Sequence, residues 1–251
     1  MARLLEPARH LALEGAYNVR ELGGYRTADG RTTRWRTFLR ADSLHRLSPG
    51  SQVALLDYGL RVVIDLRGNG ELEERPNVFA GSSDVAYCQQ DIDGTASKAE
   101  MVGSSPPDDR TKRRAWGYTV ILDHRRTLIR ETLAILSEPG AWPALFHCAG
   151  GTDRTGLIAA LVLGIAGVPP ETIVEDYALS ARYLTDMYFA DEESPEEGFT
   201  WEIYQARYCP PEAMVWTLKH LDEQYGGTEA YAREIGLTND QIDRLRSALV
   251  G

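Results

Sequence analysis

The stretch "WPALFHCAGGTDRTGLIAALVLGIAG" (142–167) constrains this chain more than any other. Its first part, "WPALFHC", is an apolar run of strand length. Its last part, "RTGLIAALVLGIAG", is an apolar helix stopped by Gly167 and Pro169. A strand without polar alternation is buried on both faces, and a helix apolar all round is buried too. Between them lie only Ala149, Gly150, Gly151, Thr152 and Asp153. "RVVIDLRG" (61–68) reads as a second buried strand. Strands and helices alternate through the middle of the chain, and no linker divides it. The expectation is a single α/β domain over residues 1–251, with a mostly parallel central sheet flanked by helices on both faces.

The rest of the chain supplies the neighbours. "YRTADGRTTRW" (25–35) reads as a hairpin around an Asp-Gly turn, "TFLRA" as a short strand and "VAYCQQD" as another. A Ser-Pro start opens a helix in "LSPGSQVALLDYGL". Residues 94–114 are polar and rich in Gly, Ser and Pro, and read as a loop that includes the basic run "RTKRR". Residues 115–140 read as one long amphipathic helix, and further helices follow near 170–184, 211–225 and 238–249. The segment around 183–212, acidic at 191–197 and rich in aromatics, is read as a lid or insertion.

The loop after Cys148 has its own chemistry. Small residues let successive backbone N–H groups turn inward, which makes an anion nest, and the following helix adds its positive N-terminal end. Ala149, Gly150, Gly151, Thr152, Asp153 and Arg154 form the expected cradle for a phosphate- or sulfate-type anion. A thiol at its floor feels the same field, and cysteines so placed fall from a pKa of about 8.5 to roughly 3.5–7.5. Cys148 is therefore expected to be a thiolate at neutral pH. Arg154 offers a planar fork to two phosphate oxygens. Thr155 can donate to the sulfur, and His147 is read as an orienting residue, because a thiolate needs no base. Cradle, thiolate and fork together describe covalent phosphoryl transfer to sulfur.

Composition narrows the surroundings. The net charge of −10 argues against general affinity for nucleic acid or anionic membrane. No apolar run is long enough for a transmembrane helix, and the first residues carry no secretory signal pattern. Three cysteines without a Cys-x-x-Cys pair fit neither a disulfide scaffold nor a zinc site, which points to the cytoplasm. No metal or cofactor is implied.

"HCAGGTDRTG" resembles the Cys-x5-Arg loop of cysteine-dependent tyrosine phosphatases. More narrowly, the chain resembles a bacterial tyrosine/dual-specificity family whose loop reads His-Cys-x-x-Gly-Lys-Asp-Arg-Thr-Gly. "NVRELGGYRTADG" (18–30), "FLRADSLHRLS" (38–48), "VIDLRGNGELEERP" (63–76), "VEDYALSARYL" (174–184) and "YGGTEAYAREIGLTNDQIDRLRSAL" (225–249) share the likeness, so it covers nearly the whole chain. The resemblance implies a tyrosine-phosphatase-like fold and attack of Cys148 on phosphorus to give a phosphocysteine. It also implies a carboxylic acid for the leaving oxygen: Asp153, with Asp65 as the alternative. The family's Lys is Thr152 here, which weakens the case for highly anionic substrates. It leaves phosphotyrosine on protein, or a singly phosphorylated small metabolite, as substrate. A non-catalytic phosphate-binding module and a rhodanese-type thiol transferase are the competing readings. The first is disfavoured because the Cys, the Arg and the candidate acids are all present, the second by the Asp-Arg-Thr-Gly sequence and the helix after it.

Overall fold

A computed structural model describes residues 9–94, 98–103, 105–191 and 196–250. The chain runs β1 (Arg20–Glu21), β2 (Phe38–Ala41), α1 (Pro49–Tyr58), β3 (Val62–Asp65), α2 (Asn69–Glu74), β4 (Ala86–Gln89), α3 (Lys98–Val102), α4 (Arg110–His124) and α5 (Arg126–Ser137). It continues with β5 (Ala144–His147), α6 (Asp153–Ile165), α7 (Pro170–Asp191), α8 (Trp201–Tyr208), α9 (Pro211–Tyr225), α10 (Thr228–Glu234) and α11 (Asn239–Val250). The sheet order is β1-β2-β5-β3-β4. Only the β1–β2 pair is antiparallel. The sheet is therefore mostly parallel, as expected.

The central position of β5 follows from its composition. Ala144, Leu145, Phe146 and His147 are all fully buried. Alternate side chains feed two cores. Ala144 and Phe146 join Val62, Ile64 and Phe38 in the larger core, which the helix α6 dominates. Leu145 joins Leu39, Val63 and Leu55 of α1 in the smaller one. This is the period-2 geometry of a strand read from both sides. Register sets Ala41, Asp65 and His147 at one level, because His147 pairs with both of the others. The C-terminal ends of three parallel strands thus meet at one edge, where open α/β sheets bind ligands.

The segment 25–35 pairs with itself as a short hairpin, with Arg26 bridged antiparallel to Thr32 and with Thr27 N–H bonded to Arg31 (3.0 Å) and Thr33 N–H to Tyr25 (2.8 Å), though neither arm is long enough to form a strand of the sheet. Several local expectations change. Residues 115–140 do not form one helix. The backbone breaks at Arg125 (φ −111°, ψ 27°), whose side chain donates to the Asp93 carbonyl (3.1 Å). "RTKRR" is not loop but the first turn of α4, capped by the Asp109 side chain, which accepts from Lys112 N–H (2.8 Å). The short helix α3 also lies within the stretch expected to be loop. Of the segment around 183–212, residues 192–195 lie outside the described residues. The aromatics at either side of them pack together: Phe199 stacks on Tyr188 at 4.1 Å and both Phe199 and Tyr204 are buried. Among the described residues no helix is long and apolar enough to cross a membrane.

Glu21 of β1 is a buried carboxyl whose Oε1 accepts from Arg36 N–H (2.8 Å) and from the Tyr58 hydroxyl, while Oε2 has no partner. Burial pushes its pKa up to about 7 from 4.5, against the pull of Arg9 and Arg36. A carboxyl raised in the folded state is neutral in both states below pH 4.5 and ionised at a penalty above 7. Stability should therefore fall by about 3 kcal/mol as pH rises through that window. Urea titrations of Glu21→Gln against the parent should show the slope flattened in the variant.

Candidate active site

Cys148 follows β5 directly and is 3% exposed. The loop after it is held from outside by its carbonyls. Ser43 N–H donates to the Ala149 carbonyl (2.9 Å), Asn18 Nδ2 to that of Gly150 (3.0 Å) and Arg40 Nη2 to that of Gly151 (2.7 Å). Three successive carbonyls turned outward leave the amides of the same peptides facing the other way. Among the described residues none of these amides, the N–H groups of Gly150, Gly151 and Thr152, has a hydrogen-bond partner. This is the geometry of an anion nest at a helix N-terminus. Gly151 adopts φ +67°, and a Cβ there would sit 2.3 Å from the Ala41 carbonyl oxygen. Only glycine lets the loop lie so close on the end of β2.

The braces themselves rest on Asp176 of α7. Its carboxylate accepts from Arg20 Nε (3.2 Å), from the Tyr25 hydroxyl (2.8 Å) and from Arg40 Nη1. Arg20 also donates to the Asn18 side chain, so the two side-chain tethers of the loop, Asn18 and Arg40, lead back to one buried acid. Arg20 and Arg40 are fully buried and Asp176 is 1% exposed. Burial disfavours the Asp176 charge, but Arg40 and Arg20 outweigh it and hold the carboxyl well below the usual range. Burial, then the repulsion of Arg20, pulls Arg40 down. Two guanidinium groups face one carboxylate, which leaves surplus positive charge beneath the loop.

A second network fixes the strand ends. Asp65 accepts from Arg67 Nε (2.8 Å), Arg67 Nη2 (2.7 Å), Asn77 Nδ2 (3.0 Å) and the Tyr87 hydroxyl (3.2 Å). His147 Nε2 lies 3.2 Å from the same carboxylate, and its Nδ1 lies 3.1 Å from the Cys148 carbonyl. Burial alone would raise the Asp65 pKa. Arg67 and His147 reverse that and hold it far below the carboxylate norm. These contacts make Asp65 an anchor for Arg67 and His147. The Thr155 hydroxyl is buried without a hydrogen-bond partner, so the expected donation to the sulfur is absent here.

Arg154 and Asp153 open the first turn of α6 on the cleft side. Glu71 of α2 takes the end of the Arg154 fork, at 2.5 Å from Nη1 and 2.8 Å from Nη2. Burial opposes the Arg154 charge. Glu71 and the nearby Cys148 more than offset that and push the pKa further up. Asp153 accepts from Arg114 and from the Tyr118 hydroxyl through one oxygen, and its side chain stays 45% exposed. Beside these two residues opens a cleft of about 390 Å³ walled by α4. A larger apolar hollow of about 850 Å³, between α6, α7, α9 and α10, contains none of the loop residues.

A sequence model described as the tyrosine phosphatase family matches residues 11–251. The chain belongs to the tyrosine phosphatase family. A tyrosine-protein phosphatase of Nostoc commune is 30% identical, covering 84% of this chain and 74% of that one. The triple specificity protein phosphatase PtpB of Mycobacterium tuberculosis is 23% identical across 95% of this chain and 98% of its own. A solved structure of P. aeruginosa TpbA aligns with 85% of this chain and 97% of its own at 16% identity. Its TM-score of 0.33 is too loose to argue from. Membership makes this phosphatase a hydrolase of phosphoric monoesters.

Arg40, Asp176 and Glu71 escaped the sequence reading. Arg40 carried a signal nonetheless: it is the one charge in the apolar strand "TFLRA", and a buried arginine requires a buried acid. Adjacent glycines give a test of the loop geometry. Gly151→Ala should lower stability by more than about 2 kcal/mol. Gly150→Ala, whose Cβ would meet only Thr152 Oγ1 at 3.8 Å, should stay within about 0.5 kcal/mol of the parent in the same thermal melts.

Proposed function

We propose that this phosphatase hydrolyses phosphotyrosine through a phosphocysteine on Cys148. The observation that carries the reading is the buried Cys148 at the mouth of unpartnered amides, with the Arg154 fork held beside it by Glu71. Glu71 engages the Nη1–Nη2 end of the guanidinium. The Nε–Nη2 side remains for two equatorial phosphate oxygens. The sulfur of Cys148, as a thiolate, attacks phosphorus. The S–P bond forms as the P–O bond to the tyrosyl oxygen breaks, and the loop amides with Arg154 stabilise the charge on the equatorial oxygens.

Asp153 supplies the proton. Arg114 and Tyr118 both bind its Oδ1, which leaves Oδ2 to carry hydrogen toward the leaving oxygen. In the second half-reaction the same carboxylate takes a proton from water as that water's oxygen bonds to phosphorus. The S–P bond then breaks, and inorganic phosphate and thiolate are released. His147, braced by Asp65 and Asn77, positions the backbone of Cys148. Thr152 is buried and approaches the Gly150 carbonyl at 3.4 Å, so this loop position adds no cation. That favours a singly phosphorylated aryl ester over a polyphosphate. Three unpaired thiols, Cys88, Cys148 and Cys209, suit a reducing cytoplasm.

Cys148→Ser should abolish vanadate-sensitive release of nitrophenol from para-nitrophenyl phosphate. Asp153→Asn should cut turnover of alkyl phosphates about 10²–10⁴-fold while costing much less on para-nitrophenyl phosphate, whose leaving group needs little protonation. Unchanged alkyl phosphate turnover in Asp153→Asn would show that the acid lies elsewhere.

A further inference from the structure

Two buried phenols stand behind Asp153. Tyr118 of α4 and Tyr177 of α7 meet edge to face at 6.1 Å between ring centres, and their hydroxyls lie 2.8 Å apart. The Tyr118 hydroxyl also reaches Asp153 Oδ1. Among the described residues the Tyr177 hydroxyl has no hydrogen-bond partner except Tyr118. Burial, then the charge of Asp153, pushes both phenols well above their usual range, so each keeps its proton at neutral pH. A Cβ on Gly156 would lie 3.0 Å from Tyr177 Cδ2, so the glycine that follows Thr155 admits the ring.

Donor capacity fixes the order of the protons. An ionised carboxylate only accepts, so Tyr118 gives its single hydrogen to Oδ1. The Tyr118 oxygen then accepts from Tyr177, whose hydrogen has no other acceptor among the described residues. The chain runs from Tyr177 to Tyr118 to Asp153, and each donor polarises the next. A proton placed on Oδ1 would make Tyr118 turn round and donate to Tyr177. The Tyr177 hydrogen would then be stranded in a dry core, at the cost of an unmade buried bond. We infer that Tyr118 and Tyr177 are positioning residues, which keep the proton of Asp153 on Oδ2. The inference rests on the reading of Asp153 as the acid and adds what directs its proton. Arg114 donates to the same Oδ1 from the partly exposed side. Asp176 and Tyr177 are consecutive on α7, so one helix steadies both the arginines under the loop and the acid beside it.

The test reads kcat/KM, which covers cleavage of the P–O bond, along a series of aryl phosphates from para-nitrophenyl to phenyl phosphate. Tyr118→Phe and Tyr177→Phe each delete one oxygen and keep the ring. The loss in Tyr118→Phe should grow with the basicity of the leaving oxygen. It should stay within about twofold on para-nitrophenyl phosphate and reach about tenfold on phenyl phosphate, part of the roughly 10²–10⁴-fold that a general acid supplies. Tyr177→Phe should steepen the same plot less, by about threefold on phenyl phosphate. Tyr177 acts only through Tyr118, so the double variant should match Tyr118→Phe. A loss equal on every ester, or no loss, means that the pair only packs and overturns the inference. Losses that multiply in the double variant overturn it too. An unchanged slope in Asp153→Asn sinks the acid reading and the inference together. A steeper slope in Asp153→Asn beside a parent-like slope in Tyr118→Phe sinks the inference alone.

Discussion

Asp176 holds two arginines from two different strands, and the shape of the phosphate loop depends on that grip. Arg40 reaches the Gly151 carbonyl from the end of β2, and Arg20 sets Asn18 against the Gly150 carbonyl. Remove the carboxylate and two buried guanidinium groups repel each other with nothing between them, a situation costing several kcal/mol. Buried ion pairs are weak evidence for stability, because desolvation consumes most of the attraction. Their value here is positional. They turn the Gly150 and Gly151 carbonyls outward, beside the Ala149 carbonyl that the Ser43 N–H holds, so that the amides of the loop face one side. They also set two guanidinium groups against one carboxylate in a dry region under the loop.

The two faces of the sheet divide the labour. The larger core, built on α6, fixes the helix whose first turn carries Asp153 and Arg154. The smaller core sits under the segment that supplies Ser43 and Asp42. Asp42 accepts from the N–H groups of Tyr17 (3.1 Å) and Asn18 (2.9 Å), so the strand that carries Arg20 is tied to the loop of the next one. The groups of the proposed mechanism thus sit on a strand end and a buried helix, and α4 walls the cleft beside them.

Much of this could be read from residues alone. An apolar strand, a small-residue loop and an all-apolar helix leave one solution, a central strand with its loop at the sheet edge. Cys148 and Arg154 follow from that without any knowledge of tertiary contacts. Contacts between distant segments were not legible. Asp176 lies 136 residues beyond Arg40, and no local pattern couples them. Asp65 shows the converse. Its position at a strand end suggested an acid, and only the surroundings, Arg67 above all, show it as an anchor. The break at Arg125 and the helical start at Arg110 were hidden for another reason: a capping Asp and a side chain donating to a distant carbonyl decide those boundaries, and hydrophobic period does not.

The pairing of Glu71 with Arg154 bears on what happens between turnovers. Glu71, a partner outside the loop, holds the guanidinium by its Nη1–Nη2 end and leaves the Nε–Nη2 side for the proposed phosphate. On the proposed mechanism, binding energy is then not spent on ordering a long side chain with each new encounter. On the same mechanism, that carboxylate would keep the arm in place when orthophosphate departs. A fixed acid on α2 works as a rest for the tool, so that each cycle starts from the same poised geometry.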